Sequence, residues 1–398
     1  MRDYPPALIL DLSATGLAVA RILSKHGVDA YGADIYNLSI GRFSKYVKRP
    51  PFGYKVSLDS RFLDQLIKFA KKFDTKPVLF PSSDVFIEFV SKHYEILKEY
   101  YHLQESLAPN ISNKFLNKME FYKLCEKYNM VYPKTLILTG KESPAQVIEK
   151  LRFPIILKPH LIHKWRKHLK GKKVIYIKNL SELENVFKVE KDLLVNSVLQ
   201  EVIPGPEENI FIFKGYFDRK GNLKAHFVGR KIRQYPPYFG SFSLAESIEN
   251  EEIKKLSVDF LQKLKFKGLC GTEFKYDYRD RDYKIIEINI RPQLWEDLTR
   301  LAGAEVLWIA YCDLAGLESP QCNKQINYVK LSYLIRDIYS ALIQIKDGEL
   351  KFKKWIQSYS NLRGDAIFEM KDWKLLIGFP LYMMSQLYFF KIRPIFAK

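Results

Sequence analysis

The chain has 398 residues, of which 47% are hydrophobic and 14% are aromatic. These fractions exclude a disordered chain, and the length predicts two or three domains. The 64 Lys and Arg outnumber the 45 Asp and Glu, and the net charge of +19 favours anionic partners such as nucleotide phosphates, nucleic acid or an anionic membrane face. With no signal-peptide pattern, no disulfide framework among four cysteines and no apolar run of roughly 20 residues, we expect a cytoplasmic protein.

Residues 1–110 are predicted to form a Rossmann-like domain with a parallel sheet. The run ALILDL indicates a buried strand, and the helical spacing after it indicates a helix that ends near Gly27. A second strand ends near Asp34, and KPVLFPSSD, which ends at Asp84, adds a third. The first turn, Ser13 to Gly16, has one glycine where the dinucleotide motif GxGxxG needs three, so we expect a scaffold rather than an NAD site.

Residues 111–320 are predicted to form an α+β domain, because strand pairs alternate with amphipathic helices. The polar runs DRKGN and DYRDRD each stand between two alternating strands, which is typical of antiparallel hairpins. Residues 321–398 carry no chemistry-bearing motif and are expected to form a small basic C-terminal extension. The predicted fold class is therefore α/β plus α+β.

The strand YKIIEINIRPQ carries Glu287, Asn289 and Arg291 at alternate positions, so all three face the same side. The hairpin turn centres near Arg279–Asp280 and puts Glu273 of the partner strand level with Glu287. Two carboxylates that close repel each other unless a cation lies between them, and an amide oxygen adds a third ligand for Mg²⁺. An ordinary solvated strand face is the alternative.

Upstream residues supply features of a nucleotide site. Glu201 begins a segment whose backbone at Val202–Ile203 could pair with the edge of a flat heterocycle, and Glu208 follows after a Pro-Gly turn. Lys158 ends an apolar strand and Lys118 lies on the preceding helix, although such a lysine is usually a surface residue.

In their order, the motifs LKP, QEVIPG, GTEFK and EINIRPQ resemble those of the ATP-grasp superfamily, over about residues 112–305. The resemblance implies a Rossmann-like N-terminal domain followed by an ATP-grasp fold with antiparallel sheets. It implies that ATP is bound by Lys118, Lys158, Gln200, Glu201, Val202, Ile203 and Glu208, with Glu208 on the ribose. It further implies two Mg²⁺ (or Mn²⁺) ions on Glu273, Glu287 and Asn289, and an acyl phosphate stabilised by Arg291.

The implied activity is ATP-dependent ligation of a carboxylate to an amine, or to a thiol, through an acyl phosphate. The run FVGRKIRQYPPYFGSFSLAE resembles the carboxylate–amine ligase-like members, many of which act near surface-polysaccharide synthesis. Arg230 and Lys231, with Arg233 and Tyr235, are expected to face the acceptor or the acyl phosphate, and an ordinary basic strand is the alternative. The partners would be small-molecule or lipid-linked carboxylates and amines.

Two other functions stay open. A nucleic-acid-binding protein would use the positive charge and the aromatic residues, but Glu273 and Glu287 would repel a phosphate backbone. A nucleotide-binding regulatory module would keep the fold without turnover. The complete set of metal ligands favours an enzyme.

The loop HLIHKWRKHLKGKK departs from the glycine- and serine-rich phosphate loop of the superfamily. Side chains of Lys164, Arg166 or Lys167 are expected to contact the phosphates instead of the backbone. The loop histidines, His160, His163 and His168, invite a zinc interpretation, but nothing nearby supplies a clear fourth ligand.

The stretch from Leu375 to Phe390 has no charged residue and contains Pro380. It is too short to span a bilayer comfortably. One prediction is a helix packed on the ligase domain. The other is that segment 375–393 contacts an anionic membrane peripherally, which would place the protein at the inner face of the membrane.

Overall fold

The computed structural model describes residues 4–165, 168–169 and 174–387. Their strands form a three-stranded, a four-stranded and a seven-stranded sheet. The class predicted from the sequence, a Rossmann-like unit followed by antiparallel sheets, is confirmed. None of the described helices is long and apolar enough to cross a bilayer.

The first sheet is parallel and lies at the N-terminus. Its elements are β1 (Ala7–Leu10), α1 (Ala14–Lys25), β2 (Ala30–Ala33), α2 (Ser60–Ala70), β3 (Val78–Pro81), α3 (Asp84–Lys92) and α4 (Tyr94–Leu97). The strand order β2–β1–β3 puts β1 in the centre, and all four β1 side chains are buried, which is why this strand is uniformly apolar. Ser13 caps α1 by accepting a hydrogen bond from the Thr15 N–H at 3.3 Å.

The second sheet is antiparallel, with the order β4–β7–β5–β6. It is built from α5 (Pro109–Leu116), α6 (Lys118–Lys127), β4 (Thr135–Ile137), α7 (Pro144–Lys150), β5 (Ile155–Pro159), α8 (Ile162–Trp165), β6 (Ile175–Ile177), α9 (Leu180–Val189), α10 (Lys191–Leu194) and β7 (Ser197–Glu201). Strands β5 and β7 pair so that Ile156 lies opposite Gln200. Lys158 and Gln200 therefore come from neighbouring strands of one sheet.

The third sheet has the order β12–β11–β8–β9–β10–β13–β14 and is antiparallel except between β13 and β14. Its elements are β8 (Ile210–Phe217), β9 (Leu223–Tyr235), β10 (Ser241–Ser247), α11 (Glu251–Lys263), β11 (Gly268–Asp277), β12 (Asp282–Asn289), α12 (Glu296–Leu301), α13 (Val306–Leu314), β13 (Lys330–Ser332), α14 (Leu334–Lys346), α15 (Phe352–Gln357), β14 (Leu362–Asp365) and α16 (Trp373–Leu387).

Two strands from the C-terminal residues continue this sheet. Strands β13 and β14 continue it beyond β10, so the boundary predicted at residue 320 falls inside one sheet. Arg233 of β9 is buried and paired with Asp337 of α14 at 2.8 Å. Buried Arg21 of α1 pairs with Asp297 and donates to the Ile367 carbonyl at 2.9 Å, which ties the N-terminal sheet to both α12 and the C-terminal part. The strands at the C-terminus span three and four residues, too few for a period of two to be recognised in the sequence.

A single cleft collects residues from all three sheets. Its volume is about 480 Å³, and it is lined by the loops after β1 and β3, by α6, by β5 and β7, and by β9, β11 and β12. The carboxyl ends of the parallel strands β1 and β3 thus open towards the same space as the hairpin β11–β12.

Candidate active site

The β11–β12 hairpin places its two carboxylates side by side in the cleft. Glu273 lies directly opposite Glu287 in the ladder, which confirms the predicted register. Lys231 Nζ lies 2.8 Å from Glu273 Oε1, and Lys118 Nζ lies 2.9 Å from Glu287 Oε2. The Asn289 amide donates to Glu287 Oε1 at 2.9 Å. Each carboxylate therefore has a lysine beside it that offsets the repulsion between the two charges.

Lys118 reaches the cleft because it opens helix α6. Asn117 caps that helix by accepting a hydrogen bond from the Met119 N–H at 2.9 Å. The Lys118 side chain is only 10% exposed, although lysine is rarely buried without a partner. Lys114, the alternative in the sequence, lies instead beside a separate groove with Lys265 and Lys267. Lys118 is thus the lysine of this pair that lies in the cleft.

The four-stranded sheet contributes the opposite wall. Lys158 Nζ donates to Gln200 Oε1 at 2.6 Å, and the Gln200 amide donates to Thr135 Oγ1 at 2.7 Å. Glu201 is buried, and its Oε1 accepts the Arg152 N–H at 3.0 Å. The polar side chains of this wall are therefore held in fixed positions by hydrogen bonds.

The segment after β7 lines the cleft. Its backbone is already partly used, because the Val202 N–H donates to the Pro154 carbonyl at 3.0 Å and the Ile203 carbonyl accepts Lys275 Nζ at 2.8 Å. Burial lowers the pKa of Lys275 to about 8, since desolvation disfavours the ammonium form. The hydrogen bond from Val202 restricts which backbone groups here could contact a base.

Arg291 faces the N-terminal sheet. Its Nε donates to Asp84 Oδ1 at 2.6 Å. Burial alone would raise the pKa of Asp84, but the charge of Arg291 and its hydrogen bond outweigh burial and lower it. For Arg291, burial would lower the pKa, whereas the attraction of Asp84 raises it. The guanidinium is thus fixed as a cation at the junction of two sheets.

A buried ion pair supports the loop that follows Arg291. Lys214 and Glu296 are both fully buried, with 2.8 Å between Nζ and Oε1, and Lys214 also donates to Gln293 Oε1 at 3.2 Å. A Cβ atom on Gly271 would stand 1.8 Å from the same Gln293 oxygen. Glycine is therefore required at position 271 for the Gln293 side chain to lie where it does.

Four predicted residues lie outside the cleft lining: Arg230, Glu208, Arg233 and Tyr235. Arg230 donates to Glu246 Oε1 at 2.7 Å on the face of β9 opposite to Lys231, because neighbouring strand residues point to opposite faces. Glu208 is exposed on a short 3₁₀ turn, whereas Glu207 beside it is buried and accepts the Gln234 N–H at 2.8 Å. Arg233 is committed to the buried pair with Asp337 described above, and Tyr235 is likewise absent from the lining.

The basic loop is only partly described. Lys164 pairs with Glu88 at 2.8 Å, while Arg166, Lys167 and the side chain of His163 lie outside the described residues. His168 contacts Glu190 at 2.5 Å, and the buried His160 Nε2 has no hydrogen-bond partner among the described residues. The described part of the chain contains no cluster of three or more His, Cys, Asp or Glu suited to a metal ion.

Asp11 and Asp84 also line the cleft, although no motif in the sequence marks either residue as functional. Each residue follows a strand of the parallel sheet, Asp11 after β1 and Asp84 shortly after β3. Functional groups of α/β sheets gather at the carboxyl ends of the strands, and this rule is the signal that could have identified them.

Comparison with known proteins agrees with this architecture. No family model matches the chain. The D-aspartate ligase of Enterococcus faecium (strain Aus0004) is 27% identical over 280 residues, which are 66% of this chain and 64% of that protein. The N5-carboxyaminoimidazole synthetase of Staphylococcus aureus complexed with ADP superposes with a TM-score of 0.64 at 13% identity, covering 86% of each chain. The chain has the ATP-grasp fold.

Other ATP-grasp structures extend the comparison. The biotin carboxylase of Campylobacter jejuni superposes with a TM-score of 0.59 at 13% identity, over 81% of this chain and 74% of that one. These low identities establish the fold alone. The chain spans slightly less than two thirds of the length of the D-aspartate ligase.

Proposed function

We propose that this ATP-grasp protein is an ATP-dependent ligase that joins a carboxylate to an amine through an acyl phosphate. The observation that carries the proposal is the facing pair Glu273 and Glu287, each held by a lysine, in a cleft between two antiparallel sheets. The similarity to a D-aspartate ligase supports it. A thiol could replace the amine, because it attacks the same acyl phosphate.

ATP is the nucleotide in this proposal. Lys118 and Lys158 contact its phosphates, and the segment from Gln200 to Ile203 contacts the adenine, which the placement of these residues around one cleft supports. Glu208 is not part of the proposed site, because its side chain is exposed outside the lining.

The hairpin fits magnesium by the chemistry of its donors. Glu273 and Glu287 offer carboxylate oxygens and Asn289 an amide oxygen, and hard divalent cations prefer oxygen ligands. We propose that these residues hold two Mg²⁺ ions, or Mn²⁺ in their place. Bound Mg²⁺ would neutralise charge on the transferring phosphoryl group.

The residues of the chain then have distinct roles. The substrate carboxylate attacks the γ-phosphorus of ATP, ADP leaves, and a mixed anhydride forms that an amine can attack. Lys231 moves from Glu273 to the phosphoryl oxygens, while Arg291, fixed by Asp84, stabilises the charge of the acyl phosphate. The reaction needs no protein nucleophile, because the phosphoryl group itself activates the carboxylate.

Hydroxylamine trapping tests this function directly. The protein is incubated with MgATP, hydroxylamine and a panel of carboxylates headed by D-aspartate, and hydroxamate and ADP are both measured. We expect hydroxamate equal to ADP with at least one carboxylate, and neither product with Glu287→Gln. ATP binding without carboxylate-dependent ADP release would contradict the ligase and favour the regulatory module.

We also propose that the substrates include lipid-linked molecules and that the protein contacts a membrane surface peripherally. Helix α16 buries Leu375 but exposes Ile377 by 69%, Met384 by 65%, Leu381 by 52% and Leu376 by 50%. Lys371 and Lys374 are exposed near its beginning. An apolar face next to cations suits the headgroup region of an anionic bilayer, and this supports contact through the described part of segment 375–393.

A further inference from the structure

One end of the cleft is built by the N-terminal sheet and has no role in the nucleotide site. The loop after β1 contributes Asp11 and Ser13, the loop after β3 contributes Ser82 and Ser83, and helix α3 contributes its first residue, Asp84. Apolar walls from Leu294 and Trp295 complete this end. We call this part of the cleft the serine end.

The three carboxylates in and near the serine end differ in how fully they are bonded. Asp34 accepts hydrogen bonds from the Leu12 N–H at 2.7 Å, the Ser39 hydroxyl at 2.7 Å and the Tyr36 N–H at 3.1 Å, and it does not line the cleft. The Asp84 carboxylate is paired with Arg291, as described above. Both carboxylates thus already have hydrogen-bond or ionic partners in the protein.

Asp11 lines the cleft, and none of the ion pairs in the described part of the chain includes it. Its carboxylate accepts the Ser13 N–H at 2.8 Å and a hydrogen bond from the Ser83 side chain. Among the described residues, no Lys, Arg or His lies within 4.0 Å of the Asp11 carboxylate. A carboxylate in a half-buried position without a counter-charge costs free energy, which an incoming cation would recover.

The backbone holds Asp11 firmly in this place. Its φ angle is +85°, a left-handed value, and its N–H donates to the Ala33 carbonyl at 2.9 Å. A Cβ atom on Gly16 would stand 1.8 Å from the Asp11 carbonyl oxygen, so the turn is closed over a glycine. Strained conformations of this kind persist where the surrounding structure determines them, often at functional sites.

A second polar group at the serine end is unsatisfied. Ser82 is 3% exposed, lines the cleft, and its hydroxyl has no hydrogen-bond partner among the described residues. A buried hydroxyl without a partner costs free energy unless a ligand or water supplies one. The serine end thus offers a hydroxyl acceptor as well as the Asp11 carboxylate, both suited to an N–H donor.

Ionisable side chains from several elements interact electrostatically with Asp11. Asp34, in the loop after β2, interacts electrostatically with Asp11. Asp11 interacts in the same way with Arg291 and with Tyr382 of α16, and Arg336 of α14 also interacts with Tyr382. Burial, with the charge of Asp34, raises the pKa of Asp11 to about 6. A carboxyl group with a pKa near neutrality is suited to accept a proton from a substrate.

We propose that Asp11 binds the ammonium group of the amine substrate at the serine end and then accepts its proton. The inference rests on the proposed ligase function and adds the position and ionic form of the second substrate. Asp11 and Arg291 line the same cleft and interact electrostatically, so a nitrogen bound at Asp11 shares that cleft with the group proposed to stabilise the acyl phosphate.

The step balances in atoms and charge. One proton of the ammonium ion passes to Asp11, and the nitrogen lone pair then forms the bond to the acyl carbon. The bond between that carbon and the phosphate oxygen breaks, and the phosphate leaves with the second proton of the nitrogen. The products are the amide, inorganic phosphate and protonated Asp11, which releases its proton to solvent.

Two small nucleophiles test the proposal. Near neutral pH hydroxylamine is mostly uncharged, whereas ammonia is almost entirely ammonium ion, so only the second needs a carboxylate partner. Hydroxamate and amide formation are measured with MgATP and the carboxylate that the wild type activates. The variant is Asp11→Asn, since asparagine tolerates left-handed backbone well. Asp11→Gly is the second variant, because glycine adopts the same φ freely.

We expect both variants to form hydroxamate within about twofold of the wild type and amide about tenfold more slowly, as for the loss of a charge-assisted hydrogen bond. The control Asp29→Asn removes an exposed carboxylate that pairs with Lys48 at the far end of β2, and it should change neither rate. Equal losses of both products, or no loss of amide, would overturn the role of Asp11. A wild type that forms no hydroxamate from any carboxylate would instead overturn the ligase function, and this inference with it.

Discussion

Replacing Asp337 by asparagine tests whether the C-terminal residues are an integral part of the large sheet. The Asp337 carboxylate is fully buried and accepts hydrogen bonds from Arg233 at 2.9 and 2.8 Å, from the Ser243 hydroxyl at 2.8 Å, from the Trp355 indole at 3.2 Å and from the Tyr359 hydroxyl. These donors come from β9, from β10, from α15 and, for Tyr359, from the turn that follows α15. One side chain thus joins the predicted ligase domain to the C-terminal residues.

The amide keeps the shape of the side chain but leaves the Arg233 guanidinium, which is 4% exposed, without its counter-charge. Breaking a buried ion pair by removing one partner costs about 3–5 kcal/mol. This loss is a large fraction of the stability of about 5–15 kcal/mol that folded domains usually have. We therefore expect the variant to unfold at a much lower urea concentration than the wild type.

Urea unfolding followed by circular dichroism measures the loss. The control is Glu251→Gln, which breaks an exposed pair with Lys254 and should cost no more than about 0.5 kcal/mol. If Asp337→Asn lowers the free energy of unfolding by less than about 1 kcal/mol, the pair does not hold the C-terminal residues to the sheet, and the reasoning from burial fails.

Four further predictions concern the cleft and helix α16. Glu287→Gln should abolish ADP release while circular dichroism stays unchanged, and normal turnover would remove Glu287 from the metal site. Lys158→Ala should weaken MgATP binding about tenfold or more in calorimetry, because a charge-assisted phosphate contact of about 1.5–3 kcal/mol is lost, and unchanged affinity would refute that contact. Because the pKa of Lys275 is lowered to about 8, the unfolded chain binds more protons than the folded protein between about pH 8 and the ordinary pKa of lysine. The free energy of unfolding should therefore rise with pH across that window, and Lys275→Met should remove the rise. Ile377→Asp and truncation after Lys371 should each abolish salt-sensitive sedimentation with anionic vesicles, and full-length protein that stays in the supernatant at low salt would refute the membrane contact.

Local patterns in the sequence predicted the parts of the site that depend on short-range geometry. The alternation of Glu287 and Asn289, with the position of the hairpin turn, sufficed to place Glu273 opposite Glu287, because strand register follows from the turn. The same alternation separates Lys231 from Arg230, and it could have excluded Arg230 once Lys231 was assigned to the cleft.

Other features depend on contacts between distant parts of the chain, and no local pattern contains them. The pair of Asp84 and Arg291 joins residues that are 207 positions apart. The pair of Arg233 and Asp337 joins two elements that are 104 positions apart. Their partners become evident only when the sheets are assembled, and therefore the sequence showed the hairpin but neither the serine end nor the C-terminal strands.

The strand order of the large sheet also has a consequence for protein synthesis. Strands β8 to β12 are complete once residue 289 has been made. Strand β13, which pairs with the edge of β10, and strand β14, which pairs with β13, follow only at residues 330–365. Until then the nascent chain exposes the unpaired edge of β10. It also exposes Arg233, which is buried in the folded protein, before its partner Asp337 has been made. Open edges of this kind invite pairing with other chains. Ribosome-bound chains that stop between residues 300 and 330 should therefore depend on chaperones more than chains that extend past β14.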